Sequence, residues 1–177
     1  DTLLDLRDEH GFGAADVEAV EVAVDSVTPT VLIYDRPQSG LEGKFSMHFC
    51  AASALAHGRV DMSTFEPCGL ADPVTQALVP RVTMRPDAAV GVGQPALTEA
   101  LVTVRLCDGV TFTRRVQGAR GYPANPPTDD QLSQKFLTCA GRVVSSRAAN
   151  EALTWLRGLE SQPRVSGLVD LLSAVTA

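Results

Sequence analysis

Lys44 and His48 stand four residues apart in the segment Leu41-Glu42-Gly43-Lys44-Phe45-Ser46-Met47-His48. On a helix over 41–57 they project from one face, one turn from each other. A lysine near a helix start can hold an anion, and if desolvated it can also move a proton. Histidine, with a reference pKa of ~6.5, suits proton transfer. Ser46 can donate a hydrogen bond to a ligand or satisfy the free N–H groups of the helix. Arg36, in the loop Arg36-Pro37-Gln38-Ser39-Gly40 just before, can grip a carboxylate with both arms of its guanidinium. Tyr122, in Arg120-Gly121-Tyr122-Pro123, is a candidate cleft wall. Plainer readings stand beside these: a solvated first-turn charge for Lys44, a structural ring for His48, an ordinary surface residue for Arg36.

Of the fifteen Lys and Arg residues only Lys44 and Lys135 are lysines, and each is followed by Phe. Lysine is a compact point charge and arginine a rigid fork, so a chain this biased keeps lysine where arginine would not serve. Lys135 falls mid-helix beside Phe136 and marks structure. His10 and His57 sit at helix ends, where contact with the helix dipole accounts for them. Gly91-Val92-Gly93 has no third glycine and opens no helix, so it is not a dinucleotide loop.

The elements that must position these residues read as follows. Residues 2–9 form a helix stopped by Gly11. From Asp16 to Asp25, Val20, Val22 and Val24 alternate with Glu21 and Asp25 as a half-buried strand, with a bulge near Ala19. Thr30 to Tyr34 reads as a second short strand. Helix 41–57 carries Leu41, Phe45, Phe49, Ala52 and Ala56 on one stripe and ends at Gly58. Asp72-Pro73 opens a short helix, and a strand follows around Val82 and Met84. Val102, Val104 and Leu106 alternate into Asp108-Gly109 and Val110 and Phe112 alternate out, a hairpin with a two-residue type I′ turn. Thr128 to Gln131 is a capping box for a helix with Leu132, Phe136, Cys139, Ala140 and Val143 inward. Two helices follow, at about 147–158 and 166–175. This is α+β: an antiparallel sheet with a hairpin at Asp108-Gly109, packed against several helices, in one domain over 1–177.

A chain of 177 residues can bury about two-thirds of its unfolded surface. Its 45% hydrophobic and 20% charged content is that of a globular protein, and with 5% aromatics the core must be mostly Val, Leu and Ala. A net charge of −6 argues against a nucleic-acid surface. No apolar run approaches the ~18 residues needed to span a bilayer. Cys50, Cys68, Cys107 and Cys139 lack metal or disulfide spacing and read as small buried hydrophobes in a reducing compartment, with no metal site. Without an initiator Met or secretory signal, the chain reads as a piece of a longer cytoplasmic protein.

Arg36-Pro37-x-x-Gly40-Leu41-Glu42-Gly43-Lys44-Phe45-Ser46, followed by an Ala-rich helix to Gly58, resembles the start of the second domain of the MmgE/PrpD family. Pro126-Pro127-Thr128-Asp129-Asp130-Gln131-Leu132-Ser133-Gln134-Lys135-Phe136 is similar to that family's late Pro…KF helix, and the order and separation also fit. The resemblance implies the C-terminal domain of a cofactor-independent lyase or isomerase. Its substrate would be a small di- or tricarboxylate, dehydrated, decarboxylated or epimerised as in 2-methylcitrate dehydratase, cis-aconitate decarboxylase and iminodisuccinate epimerase. It places Lys44 toward the active-site cleft, whereas His48 as a second catalytic residue and Arg36, Ser46 and Tyr122 as substrate contacts rest on residue type and position alone. It also implies a homodimer, a helical N-terminal domain that nothing here matches, and a fragment inactive alone. From another class, a non-catalytic α+β ligand-binding or dimerisation module competes, because no complete catalytic set is present.

Overall fold

Leu3 and Leu6 lie one turn apart in α1 (Thr2–His10), and both are buried. Gly11 ends that helix in the left-handed conformation, φ 69°, which glycine adopts without steric cost. The computed structural model describes residues 1–123 and 125–173. They fall into two compact units, Asp1–Asn125 and Pro126–Ala177.

The first unit is built on a four-stranded sheet of order β2-β1-β3-β4, with β1 at Val17–Val24, β2 at Val82–Pro86, β3 at Glu99–Leu106 and β4 at Thr111–Gln117. Alternation settles which face is inward. Val20 pairs with Val82 on one side and Val104 on the other, and all three are buried. Their row joins Leu6, Phe49, Leu55 and Leu78 in one core. The register slips between Val17 and Ala19, the bulge expected there. The sheet is not wholly antiparallel: β1 runs parallel to β2, because residues 25–81 cross over before the chain re-enters the sheet.

Two local expectations fail for local reasons. Thr28–Val31 is a single helical turn, α2, where a strand was expected over Thr30–Tyr34. The Asp25 carboxylate accepts the N–H groups of Val27 and Thr28 and turns the chain out of β1, and Pro29 suits a first turn. The β3–β4 hairpin forms with a three-residue connection. Leu106 N–H reaches Val110 at 2.8 Å, Gly109 N–H reaches Leu106 at 2.9 Å, and only Gly109, φ 89°, takes positive φ there. Asp108 keeps negative φ, so a type I turn with a glycine bulge replaces the type I′ turn.

The crossover holds α3 (Gly40–Lys44), α4 (Met47–His57), α5 (Pro67–Leu70) and α6 (Pro73–Leu78), with a 3-10 turn at Met62–Phe65 between α4 and α5. Asp72 caps α6 by accepting Thr75 N–H at 2.7 Å, as its Asp-Pro start predicts. After β2, residues 87–98 form a loop held by two carboxylates. Asp25 accepts Leu97 N–H at 2.7 Å, and Glu99 accepts Gly91 N–H and, at 2.8 Å, Arg115. Leu97 sits at φ 68°, a strained position for a side chain with a Cβ, and the Asp25 bond holds it there.

The second unit packs α7 (Asp129–Ala140) and α9 (Ser166–Ser173) on α8 (Ser146–Arg157). The Thr128/Gln131 capping box is present. Its core is small: Val144, Ala148 and Ala149, with Leu137, Ala140 and Leu172 against them. Leu132 and Val143, expected inward, are 52% and 55% exposed, and Cys139 is exposed too. The inward stripe is Leu137, Ala140 and Val144, about one position or ~100° around from the expected one. Two neighbouring apolar columns were available, and the flat alanine face of α8 accepts this one.

Candidate active site at the α3–α4 junction

The helix expected over 41–57 is broken. Phe45 N–H bonds to Glu42 and Ser46 N–H to Gly43, tightening the last turn of α3. Ser46 then adopts extended dihedrals, φ −122° and ψ 111°, and caps α4 by accepting Phe49 N–H at 3.0 Å. The serine hydroxyl replaces the bond that an unbroken helix would have made. The break explains the mixed fate of the apolar stripe: Phe49 and Ala52, beyond it, are fully buried, whereas Leu41 and Phe45, before it, are 69% and 42% exposed.

Most of the Arg36–Ser46 signature has a packing duty. Ser39 caps α3 through Glu42 N–H at 3.3 Å, and the Glu42 carboxylate accepts Gln38 N–H at 2.6 Å. A Cβ on Gly40 would lie 1.9 Å from the Phe65 carbonyl oxygen, so only glycine fits. A Cβ on Gly43 would press on the Phe49 and Phe65 rings at 3.2–3.3 Å. Those rings pack with centroids 6.1 Å apart and floor the junction. Cys50 backs it, its thiol donating to Gly43 at 3.4 Å, and burial pushes its pKa up to about 11, so it is no thiolate nucleophile. The other three cysteines are exposed rather than buried as expected, and all four are free thiols.

Lys44, at the end of α3, is exposed, with its amine 5.8 Å from the centre of the Phe65 ring. His48, in the first turn of α4, is nearly enclosed: its side chain is 14% exposed, and Nδ1 is shut off from water without a hydrogen-bond partner. The Asp35 carboxylate stands 3.5 Å from that nitrogen. The loop carrying Asp35 is tied across the junction by Tyr34 N–H to the Phe45 carbonyl at 3.3 Å. Lys44 and His48 therefore meet at one junction but on two helices, not along one helical face. Ser46 is 1% exposed and committed to its cap. Arg36 is exposed in the adjoining loop, its carbonyl accepting from the Gln38 side chain.

Tyr122 lies elsewhere in the first unit, 40% exposed, in a turn bridged to Asn125. Neighbouring Arg120 ties that turn to Asp1 and Asp5 of the α1 region. Lys135 is exposed on α7, in the second unit. His57 holds α4 to α6, its Nε2 3.1 Å from Asp72 and 3.2 Å from Thr75, and His10 stacks on Phe112 at 3.9 Å. Sequence reasoning missed Asp35 and Phe65. Asp35 precedes the signature directly, but only the fold shows that it faces His48. Among the described residues no group of three or more His, Cys, Asp or Glu is placed to hold a metal ion. No helix among them is long and apolar enough to cross a membrane.

The cations divide into those that pair with a carboxylate and those that do not, and Arg59 with Asp61 belongs to the first group. Arg85, Arg105, Arg114, Arg115, Arg120 and Arg147 each pair with a carboxylate. Arg7 and Arg81 donate to the Leu55 and Val17 carbonyls and Arg157 to the Ser133 hydroxyl. Among the described residues, Lys44 and Arg36 are the two cations without a carboxylate partner that lie at this junction.

Residues 1–160 match the family model described as the MmgE/PrpD C-terminal domain. Among curated proteins, the chain is 27% identical over 141 residues to a cis-aconitate decarboxylase-like protein of Aspergillus oryzae, covering 78% of this chain and 28% of that one. It is 26% identical over 148 residues to human cis-aconitate decarboxylase, covering 81% and 30%. It is 24% identical over 168 residues to the mouse protein of that name, covering 91% and 32%. The chain thus spans less than a third of the length of these relatives.

Proposed function

The chain belongs to the MmgE/PrpD family, as its C-terminal domain, and on that premise we propose that the α3–α4 junction is one wall of an active site for a small di- or tricarboxylate. The parent protein is then a cofactor-independent lyase or isomerase. The names of its relatives favour decarboxylation of a cis-aconitate-like acid over the dehydration of a 2-methylcitrate-like one. The carrying observation is that two cations without carboxylate partners, Lys44 and Arg36, lie at the same junction as the nearly enclosed His48, on a chain of net charge −6. A polycarboxylate supplies the missing counter-charges. Lys44 holds one carboxylate as a point charge, Arg36 another as a fork, and His48 moves the proton. Ser46 contributes by fixing the break, and Tyr122 remains a candidate contact from another loop.

One wall does not position two reacting groups. The opposite wall is assigned to a helical N-terminal domain, in a cytoplasmic homodimer, so the chain alone folds without turning substrate over. Exposed Ile33, Leu41 and Phe45 beside the junction suit such a covering partner. They are also what favours the second reading, a non-catalytic docking module, which predicts no role for the cations in turnover.

Lys44→Met, made in the protein together with its helical domain, separates the two readings. It should leave the helical circular dichroism intact and lower kcat/KM by ~100-fold, the size expected of a positioned charge or proton-transfer group. Lys44→Arg should be impaired too, since a fork does not reproduce a point charge. Near-normal turnover in both variants would remove Lys44 from the chemistry and leave the docking reading.

A further inference from the structure

His48 raises a question that its family membership does not answer. One ring nitrogen, Nδ1, is shut away from water and has no hydrogen-bond partner, an arrangement that native structures seldom leave without a use. The nearest charge to it is the Asp35 carboxylate, 3.5 Å away. Asp35 is 79% exposed, on a loop whose Tyr34 N–H is fastened to the Phe45 carbonyl. The carboxylate is therefore held near the ring but is free to close the last few tenths of an ångström. Nε2 is neither buried nor bonded to another described residue, so it is the nitrogen open to a ligand.

We infer that Asp35 is a positioning residue for His48, and this rests on reading the junction as an active site. The carboxylate accepts the Nδ1 proton, which fixes the neutral ring in one tautomer and leaves the Nε2 lone pair facing the site. When Nε2 carries a proton taken from solvent, the imidazolium is offset by the Asp35 carboxylate. Delivering that proton to the substrate carbon that loses CO2 restores the neutral ring. Lys44 and Arg36, the cations of this neighbourhood, oppose an imidazolium; the Glu42 carboxylate is engaged by Gln38 N–H, and the anion that faces the ring is Asp35.

The pairing can be read without turnover. Long-range ¹H–¹⁵N spectra of the chain at alkaline pH report which His48 nitrogen carries the proton. The wild-type ring should be the Nδ1–H tautomer. Asp35→Ala should revert it to the Nε2–H form that an unconstrained histidine favours, with the remaining amide spectrum unchanged. Asp35→Asn, which keeps an acceptor oxygen, should retain the Nδ1–H form. A wild-type ring already in the Nε2–H form, or one unmoved by Asp35→Ala, overturns the pairing. In the protein with its helical domain, Asp35→Ala should lower kcat by ~10- to 100-fold with KM nearly unchanged, because the lost interaction belongs to the transition state. A switched tautomer with unaltered kcat overturns the use of His48 in proton transfer, and Lys44→Met then judges the junction separately.

Discussion

Two irregular segments of the first unit treat their charges in opposite ways. Around the 87–98 loop the two buried carboxylates that hold it are saturated. Asp25 accepts from the Val27, Thr28 and Leu97 backbone and from the Thr28 hydroxyl, and Glu99 accepts from Gly91 and Arg115. At the α3–α4 junction the backbone is equally well satisfied, yet Lys44 and Arg36 lack carboxylate partners and His48 keeps a buried nitrogen unpaired. Both segments depart from helix and strand. What separates scaffold from candidate site is whether polar capacity is spent within the fold or left over.

Four measurements bear on that contrast. The largest effect should come from Phe49→Ala, which empties the fully buried floor of the junction. It should cost ~3–5 kcal/mol in denaturant unfolding of the chain, the range for a large buried aromatic. A cost under ~1 kcal/mol would show that the junction is not braced as its packing implies.

Asp25→Ala should cost less, ~1.5–3 kcal/mol, for the loss of a charged acceptor, and should speed amide exchange at Leu97 and Thr28. Acid probes the same clasp. Burial works to raise the Asp25 pKa, but the N–H donors of Leu97, Thr28 and Val27 outweigh it and hold it below the usual value. Gly91 N–H and then Arg115 do the same for Glu99. Carboxyls depressed in the fold stabilise it fully above the ordinary carboxylate range, and that contribution fades as pH falls through ~4 and below. Protection of the loop amides, relative to the intrinsic exchange rate at each pH, should therefore be flat from neutral pH down to the top of that range, then fall. Constant protection through the transition would mean that the two carboxylates do not hold the loop.

The smallest effect should come from Lys135→Met. Its lysine also precedes a phenylalanine, but on an exposed helical face it should change stability by less than ~0.5 kcal/mol. A larger loss would break the distinction drawn between the two lysines.

How far the sequence discloses this molecule depends on how local the deciding interaction is. The Gly11 stop, the alternation of Val20, Val22 and Val24, the Asp72 cap and the Thr128 box are settled within a few residues, and all appear as expected. The turn at Thr28 is set by the adjoining Asp25, a cue present in the sequence that propensity alone does not weigh. The broken helix hid for a different reason. Leu41, Phe45 and Phe49 do keep helical spacing, and only Phe65, brought in from a later turn, makes Gly40 and Gly43 indispensable. Lys44 and His48 were legible as candidates from residue type. Their real relation, and Asp35 opposite His48, depend on chain crossings that spacing does not encode.

The parallel pairing of β1 with β2 carries a consequence for how the molecule assembles. The β3–β4 hairpin joins neighbours in the chain, so its ends meet quickly and at little entropic cost. The β1–β2 pair must first bring together the ends of the 25–81 crossover, and that closure is opposed by chain entropy before any parallel contact rewards it. The α3–α4 junction lies wholly inside the crossover. We expect its geometry to be completed only when the β2 edge locks, which makes it a late-forming part of the domain and the first to suffer when that edge loosens.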